Sequence, residues 1–246
     1  MDLRIEGKCA AVAASSTGLG FACAEALAAE GVRVALCSRD EGRIREAASR
    51  LPGDAVGIVA DLSSPAGGQT FIEQAIAQLG RIDILVANAG GPPPGTFAST
   101  SMDGYREAID LNLLSTIAMC QAAVPAMQER HWGRVVAITS IGARQPIGTL
   151  AASSVARAGV SSFLKVLATE VAKDGVTVNS AQPGIHATDR IKHLGSLDKV
   201  AARVPVGFIG KAEDFGKAVA FLCSQPARFI TGTGLLIDGG AYGGLI

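Results

Sequence analysis

The sequence predicts an α/β protein: a doubly wound parallel sheet of about seven strands with helices on both faces. Three observations carry that expectation. Short apolar runs alternate with longer helix-prone stretches, the pattern of right-handed βαβ crossovers. The first such run leads directly into Gly18-Leu19-Gly20 and an alanine-rich segment. The chain is 48% hydrophobic, with 30 glycines and only 4% aromatics, which suits backbones packed closely between sheet and helix.

The elements follow in order. Residues 8–14 are apolar and short, a first strand. Residues 21–30 are a helix stopped by Gly31. Residues 32–37 read as a second strand, 41–51 as a helix and 55–60 as a third strand. Ser64 caps a helix that carries Pro65 at its first position and runs to residue 79. Residues 82–87 are a fourth strand. A long helical stretch over 102–129 is expected to bend or break at Pro125. Then come a strand at 134–139, a helix at 152–173, a strand at 176–181, a helix at 212–223 and a last strand at 234–237. Pro92-Pro93-Pro94 reads as a stiff loop. No repeat, low-complexity tract or linker intervenes, so residues 1–246 are expected to form one domain. Sheets of this kind bind ligands beyond the carboxyl ends of their strands. The loops after Ala14, Cys37, Ala60, Ala87, Thr139 and Ala181 are therefore where chemistry is expected.

Composition excludes several functions. Lys plus Arg and Asp plus Glu are 22 each, so no basic footprint for nucleic acid or an anionic membrane is expected. No apolar run reaches the roughly 18 residues of a membrane span, and the N-terminus has no apolar signal core. The five cysteines lack CxxC spacing and read as buried free thiols of a reducing compartment, so a cytoplasmic protein is expected. His131, His186 and His193 show no ligand spacing, and no metal site is expected.

Gly18-x-Gly20 opens a helix directly after a strand. Small residues there let a pyrophosphate reach free N–H groups and the positive end of the helix dipole. Further segments then align in order: Asn88-Ala89-Gly90, Asn112, Ser140, Asn179, Pro183-Gly184-x-x-x-Thr188, Ile230-Thr231-Gly232 and Asp238-Gly239-Gly240. Together they resemble the short-chain dehydrogenase/reductase family, and its 3-oxoacyl-(acyl-carrier-protein) reductase branch above all. The resemblance covers nearly the whole chain and implies a single-domain Rossmann fold. It implies that Ser16, Gly18, Leu19 and Gly20 line the pyrophosphate loop and that Asp61 and Leu62 flank the adenine. By the same resemblance, Asn88, Ala89 and Gly90 support the cofactor, while Pro183, Gly184 and Thr188 bracket the nicotinamide. Residues 189–210 would be a substrate lid. A homotetramer is implied too, and the alanine-rich faces of 112–126 and 152–168 suit close helix packing within or between subunits. Ser38-Arg39 stands where members that prefer NAD carry an acidic residue. Ser38 leaves room for a 2′-phosphate and Arg39 is placed to pair with it, so NADP is the expected cofactor, with NAD the alternative. Arg39 as a plain solvated residue is the competing reading.

The sequence departs from the family twice. Ala13 and Ala14 stand where the phosphate loop usually begins Thr-Gly. An alanine fits the first glycine's place if its φ stays negative, and crowds the turn otherwise. The second departure touches the chemistry. The family places its tyrosine about thirteen residues after the serine and its lysine four further on, and those places hold Ser153 and Arg157. Tyr105 and Tyr242, the two tyrosines, lie elsewhere. Serine is shorter and a far weaker acid than a phenol, and arginine keeps its proton. Asn112, Ser140, Ser153 and Arg157 are thus the candidate catalytic set, with the usual proton relay missing. His186 as an alternative acid, Arg144 as an oxyanion stabiliser and Ser140 or Ser154 as carbonyl binders are the substitutes to weigh. The expected function is an NAD(P)-dependent oxidoreductase acting on a small ketone or alcohol, including a 3-oxoacyl thioester, with a non-standard proton donor. The alternative is a silent dinucleotide-binding homologue serving as sensor or oligomeric partner.

Overall fold

The computed structural model describes residues 1–191 and 196–245. Seven parallel strands form one sheet: β1 (Cys9–Val12), β2 (Arg33–Ser38), β3 (Val56–Val59), β4 (Ile84–Ala87), β5 (Gly133–Ile138), β6 (Val176–Pro183) and β7 (Gly234–Ile237). Their spatial order is β3-β2-β1-β4-β5-β6-β7. The chain therefore crosses from one edge back to the middle between β3 and β4. This reversal opens a crevice beyond the carboxyl ends of β1 and β4, where Ala14 and Asn88 emerge.

Strand alternation sorts the core. Cys9, Ala11 and Ala13 face one layer, made by α3 (Pro65–Leu79), α5 (Ser115–Glu129) and α6 (Ala151–Val171). Ala10 and Val12 face the other, made by α1 (Gly18–Ala29), α2 (Glu41–Ser49) and α8 (Ala212–Leu222), which follows the short α7 (Leu197–Ala201). Burial on both faces explains why the strands read as continuous apolar runs. The helices approach closely through small residues. A Cβ at Gly216 of α8 would lie 2.2 Å from the Ala22 carbonyl of α1, and one at Gly68 of α3 would lie 2.8 Å from that of Ser115 in α5.

Helix ends follow local chemistry. Ser64 accepts from Gly67 N at 3.3 Å ahead of Pro65, and Gly80 ends α3 at φ 84°. The long helical stretch begins as α4 (Met102–Ala108) and continues through a π-helical turn (Ile109–Leu114) into α5. The irregularity falls at Asn112 and not at Pro125, which lies inside the regular helix. By length and composition this 28-residue helix is apolar enough to cross a membrane, but it packs within the fold against α3, α6 and β5. At the amino edge of the sheet, Asp83 accepts from Cys9 N and Arg81 Nε, both at 3.0 Å, with Arg130 Nε 3.7 Å away. That buried carboxylate ties β1 to β4 on the side opposite the crevice.

Candidate active site

The crevice is a cleft of 240 Å³. The turn after β1 forms its floor. Ala14 carries φ 46°, so the condition of a negative φ for an unstrained alanine is not met, and the residue stands in the left-handed region. The turn is held nonetheless, because Asn88 Nδ2 donates to the Ala14 carbonyl at 3.1 Å. Gly20 has to be glycine, since a Cβ would lie 2.6 Å from that same carbonyl and 2.8 Å from Asn88 Nδ2. Thr17 caps α1 without a side-chain hydrogen bond, which leaves first-turn N–H groups facing the cleft.

Of the residues named from sequence, Gly18, Leu19, Gly20, Asn88, Ala89, Gly90, Pro183, Thr188 and Arg157 line this one cleft. Thr17, Gly91 and Ile138 also line it and are not marked by the sequence reading, as do Thr139 and Asp189, which that reading marks only as a loop boundary and the start of the lid. Thr139 carries a signal of its own: its Oγ1 is buried without a hydrogen-bond partner. Thr188 closes the far wall, with Cγ2 3.7 Å from where a Cβ on Gly18 would sit. Ser16, Arg39, Asp61, Leu62 and Gly184 do not line it. Arg39 is exposed just past β2. Asp61 Oδ1 accepts from Ser63 N at 3.0 Å, while Leu62 is packed in the core. Gly184 lies against Asp238, whose Cα would be 2.8 Å from an added Cβ.

The proton side is built from α6 and the loop after β5. Arg157 is 7% exposed, and its Nη1 donates to the carbonyls of Ile138 at 2.8 Å and Thr139 at 3.0 Å. Its Nε donates to Ser153 Oγ at 3.3 Å, one turn earlier on the same helix face. Ser140, Ser153 and Ser154 line a second, smaller recess with Ile147 and Leu150, and Arg157 alone belongs to both spaces. That recess has no room for a water. Ser140 Oγ accepts from Gly142 N at 3.0 Å, and Ser154 Oγ from Ile147 N at 3.2 Å. Asn112 is 3% exposed and donates to the Gly90 carbonyl at 3.3 Å, leaving its Oδ1 without a partner.

The substitute acids fare differently. His186 turns away from the cleft, rests edge-on against Phe215 at 5.2 Å, and lines a separate cavity. Burial lowers its pKa below the ordinary histidine value. Arg144 lines neither the cleft nor the recess, and its Nη2 donates to the Gly234 carbonyl at 2.9 Å, away from where a substrate oxyanion would sit. Tyr105 packs beside Ala108, Ala152 and Ala156, and neither it nor Tyr242 lines the cleft or the recess. Among the described residues no His, Cys, Asp and Glu group could hold a metal ion, and His193 lies outside them. All five cysteines are free and buried, with burial pushing Cys37, Cys120 and Cys223 up to about 12.

A parallel doubly wound sheet with a glycine-floored crevice at its switch point defines a dinucleotide-binding class of protein. Comparison with known proteins narrows this. The family profile described as Enoyl-(Acyl carrier protein) reductase matches residues 13–242. The chain is 34% identical over 242 residues to 3-oxoacyl-(acyl-carrier-protein) reductase FabG of Escherichia coli (strain K12), covering 98% of this chain and 99% of that one. It is 32% identical to L-rhamnose 1-dehydrogenase (NAD(P)(+)) of Sphingomonas sp. (strain SKA58), over 97% of each chain. The crystal structure of L-sorbose reductase from Gluconobacter frateurii, complexed with NADPH and L-sorbose, superposes with a TM-score of 0.94 at 30% identity, covering 100% of both chains. The chain belongs to the short-chain dehydrogenase/reductase family, whose members are oxidoreductases of alcohol and carbonyl groups.

Proposed function

We propose that this protein is an NADP-dependent oxidoreductase that interconverts a small ketone and its alcohol, a 3-oxoacyl thioester included, without a tyrosine as proton donor. The observation that carries the reading is the cleft itself: its phosphate loop, Asn88 brace and Pro183–Thr188 wall meet in one space. The residues fit a dinucleotide. The first turn of α1 offers N–H groups to a pyrophosphate, Gly90 leaves its side of the cleft open, and the buried Thr139 hydroxyl lacks a partner. When bound, the nicotinamide supplies or takes the hydride. Exposed Arg39 after β2 is available to a 2′-phosphate, and the NADPH held by the sorbose reductase supports the same choice.

In this reading Arg157 keeps a fixed positive charge at the border between cleft and recess, where oxygen charge develops on a carbonyl substrate. Ser153 Oγ accepts from Arg157 Nε, while Ser140 and Ser154 line the closed recess behind it, so the guanidinium is the group that borders the substrate's space. The proton itself then comes from solvent, because none of these groups gives one up at neutral pH. Residues 189–210 serve as the substrate lid of a single domain, with 192–195 outside the described residues. A cytoplasmic homotetramer fits the free thiols and the exposed Val155 and Val166 on α6.

A second reading rests on Arg157 as well. Its Nη1 is engaged by two carbonyls and its Nε by Ser153, an arrangement equally suited to holding a dinucleotide without turnover. Titrating the protein with NADPH by fluorescence, then assaying short ketones and 3-oxoacyl thioesters, separates the two. Binding with turnover supports the oxidoreductase. Tight binding without turnover supports the silent binder, and no binding of NADPH or NADH overturns both.

A further inference from the structure

A second cavity lies behind the root of the lid. It measures 430 Å³, larger than the nucleotide cleft, and shares no lining residue with it. Its size falls within the ~300–1,000 Å³ of small-molecule sites. Its walls are apolar: Ile185, Val204, Val206, Phe208, Leu236 and Ile237. His186 supplies a buried polar group, 6% exposed. Gly210 leaves space for the ring, since a Cβ there would come within 2.8 Å of Cδ2.

The hydrogen bonds of His186 define what the cavity accepts. Nδ1 lies 3.4 Å from the Gly184 carbonyl, which can only accept, so the assigned tautomer carries its proton on Nδ1. Nε2 then presents a lone pair with no partner among the described residues. Charges at the rim balance. Asp238 is used by the N–H groups of Gly240 at 2.9 Å and Tyr242 at 2.8 Å. Asp214 lies 3.9 Å from Lys217, and Lys211 is the other ammonium. The lining itself holds Lys211 against Asp214 and Asp238, and Lys217 just outside it makes two cations against two carboxylates, so no net charge is selected on an occupant.

We propose that this cavity is a binding site for a small, uncharged, largely apolar molecule whose single hydroxyl or phenol group donates a hydrogen bond to Nε2 of His186. An occupant with no donor would leave that nitrogen dry and unpaired, so donors are preferred over isosteric hydrocarbons by about five-fold. The site shares no lining residue with the nucleotide cleft, and Val204, Val206, Phe208 and Gly210 bring to it the C-terminal end of the stretch read above as the lid.

The test uses the full chain, isotope-labelled, titrated with p-cresol and with its isostere p-xylene. Amide resonances of Gly210, Gly239 and Gly240 and the ring resonances of His186 report occupancy. Saturable shifts at these residues are expected, about five-fold tighter for p-cresol, and unchanged by saturating NADPH. His186→Phe keeps the shape and should make the two affinities equal. Should that variant fail to fold, the cresol-to-xylene ratio in the unmodified protein decides. Absence of saturable shifts, equal affinities in the unmodified protein, or displacement by NADPH would overturn the proposal. So would the same shifts arising from raised protein concentration alone, which would mark the cavity as a seat for a second copy of the chain.

Discussion

Replacing Ser153 by tyrosine and Arg157 by lysine together should raise turnover sharply while leaving NADPH binding in place. The two positions stand one turn apart on α6, in contact at 3.3 Å through Arg157 Nε and Ser153 Oγ. A tyrosine at 153 cannot turn into the recess of Ile147, Leu150 and Ser154, which lacks even a water-sized space. Its phenol has to extend toward the cleft, into the region the guanidinium now fills. A lysine at 157 frees that region and can donate to the same Ile138 and Thr139 carbonyls. The neighbouring ammonium would bring the phenol down from about 10 toward working pH. A positioned general acid contributes about a hundred- to ten-thousand-fold, or ~3–5 kcal/mol of barrier. The assay is loss of NADPH absorbance on a 3-oxoacyl thioester, with dissociation constants measured in parallel. Ser153→Tyr alone should gain much less, because the guanidinium still stands in its way. If the double variant binds NADPH as before yet gains under ten-fold in kcat/KM, the missing proton donor is not what limits this site.

Ala14→Gly should relieve a left-handed alanine worth ~1–2 kcal/mol, offset by ~0.4–1 kcal/mol of added unfolded-state freedom. A net stabilisation of about half to one kcal/mol in urea unfolding, with tighter NADPH binding, is expected, and a lower denaturation midpoint would contradict the strain. Asp83→Ala strips the buried Cys9 N–H of its acceptor and separates Arg81 and Arg130 from their carboxylate, which should cost ~2–4 kcal/mol. An unchanged midpoint would show that tie to be idle. His186 has a folded pKa below its unfolded value, so its contribution is complete above the unfolded pKa near 6.5 and is lost as pH falls below it. Stability should therefore drop on acidification by at most about 1.4 kcal/mol per pH unit from this group, and His186→Phe should flatten that part of the curve.

The sheet was legible because its strands are buried on both faces and punctuated by glycines and prolines. All seven strands and their order of appearance follow the apolar runs, and Ser64-Pro65 opens α3 as its capping chemistry requires. Strand ends were not legible. Residues 8–14 shorten to Cys9–Val12 because the backbone leaves the sheet to reach the left-handed turn at Ala14. Pro125 carries the local signal for a break in the long helix, yet the break occurs at the π-helical turn around Asn112, whose side chain reaches the Gly90 carbonyl beside the cleft. That is a tertiary contact, and a proline's local signal cannot compete with it. His186 lines the other cavity because it bridges to Gly210 while the chain bends at Ala187 and Thr188, a turn that its two-residue distance from Thr188 does not reveal.

The two departures from the family pattern act on different links of the chain from sequence to function. Ala14 perturbs the backbone that shapes the phosphate loop, and the fold absorbs it: Asn88 still holds the Ala14 carbonyl and Gly20 still fits beneath. Ser153 and Arg157 perturb chemistry without perturbing the fold, because helix propensity and burial are indifferent to whether position 153 carries a phenol. Arg157 even keeps the structural half of a lysine's work, a buried cation pinned to the end of β5. What it gives up is the role of that cation in tuning a neighbouring acid, since its partner at 3.3 Å is now an alcohol that stays protonated across the physiological range. The pair therefore behaves as one exchange: each residue suits the other, and neither reversion alone rebuilds the relay.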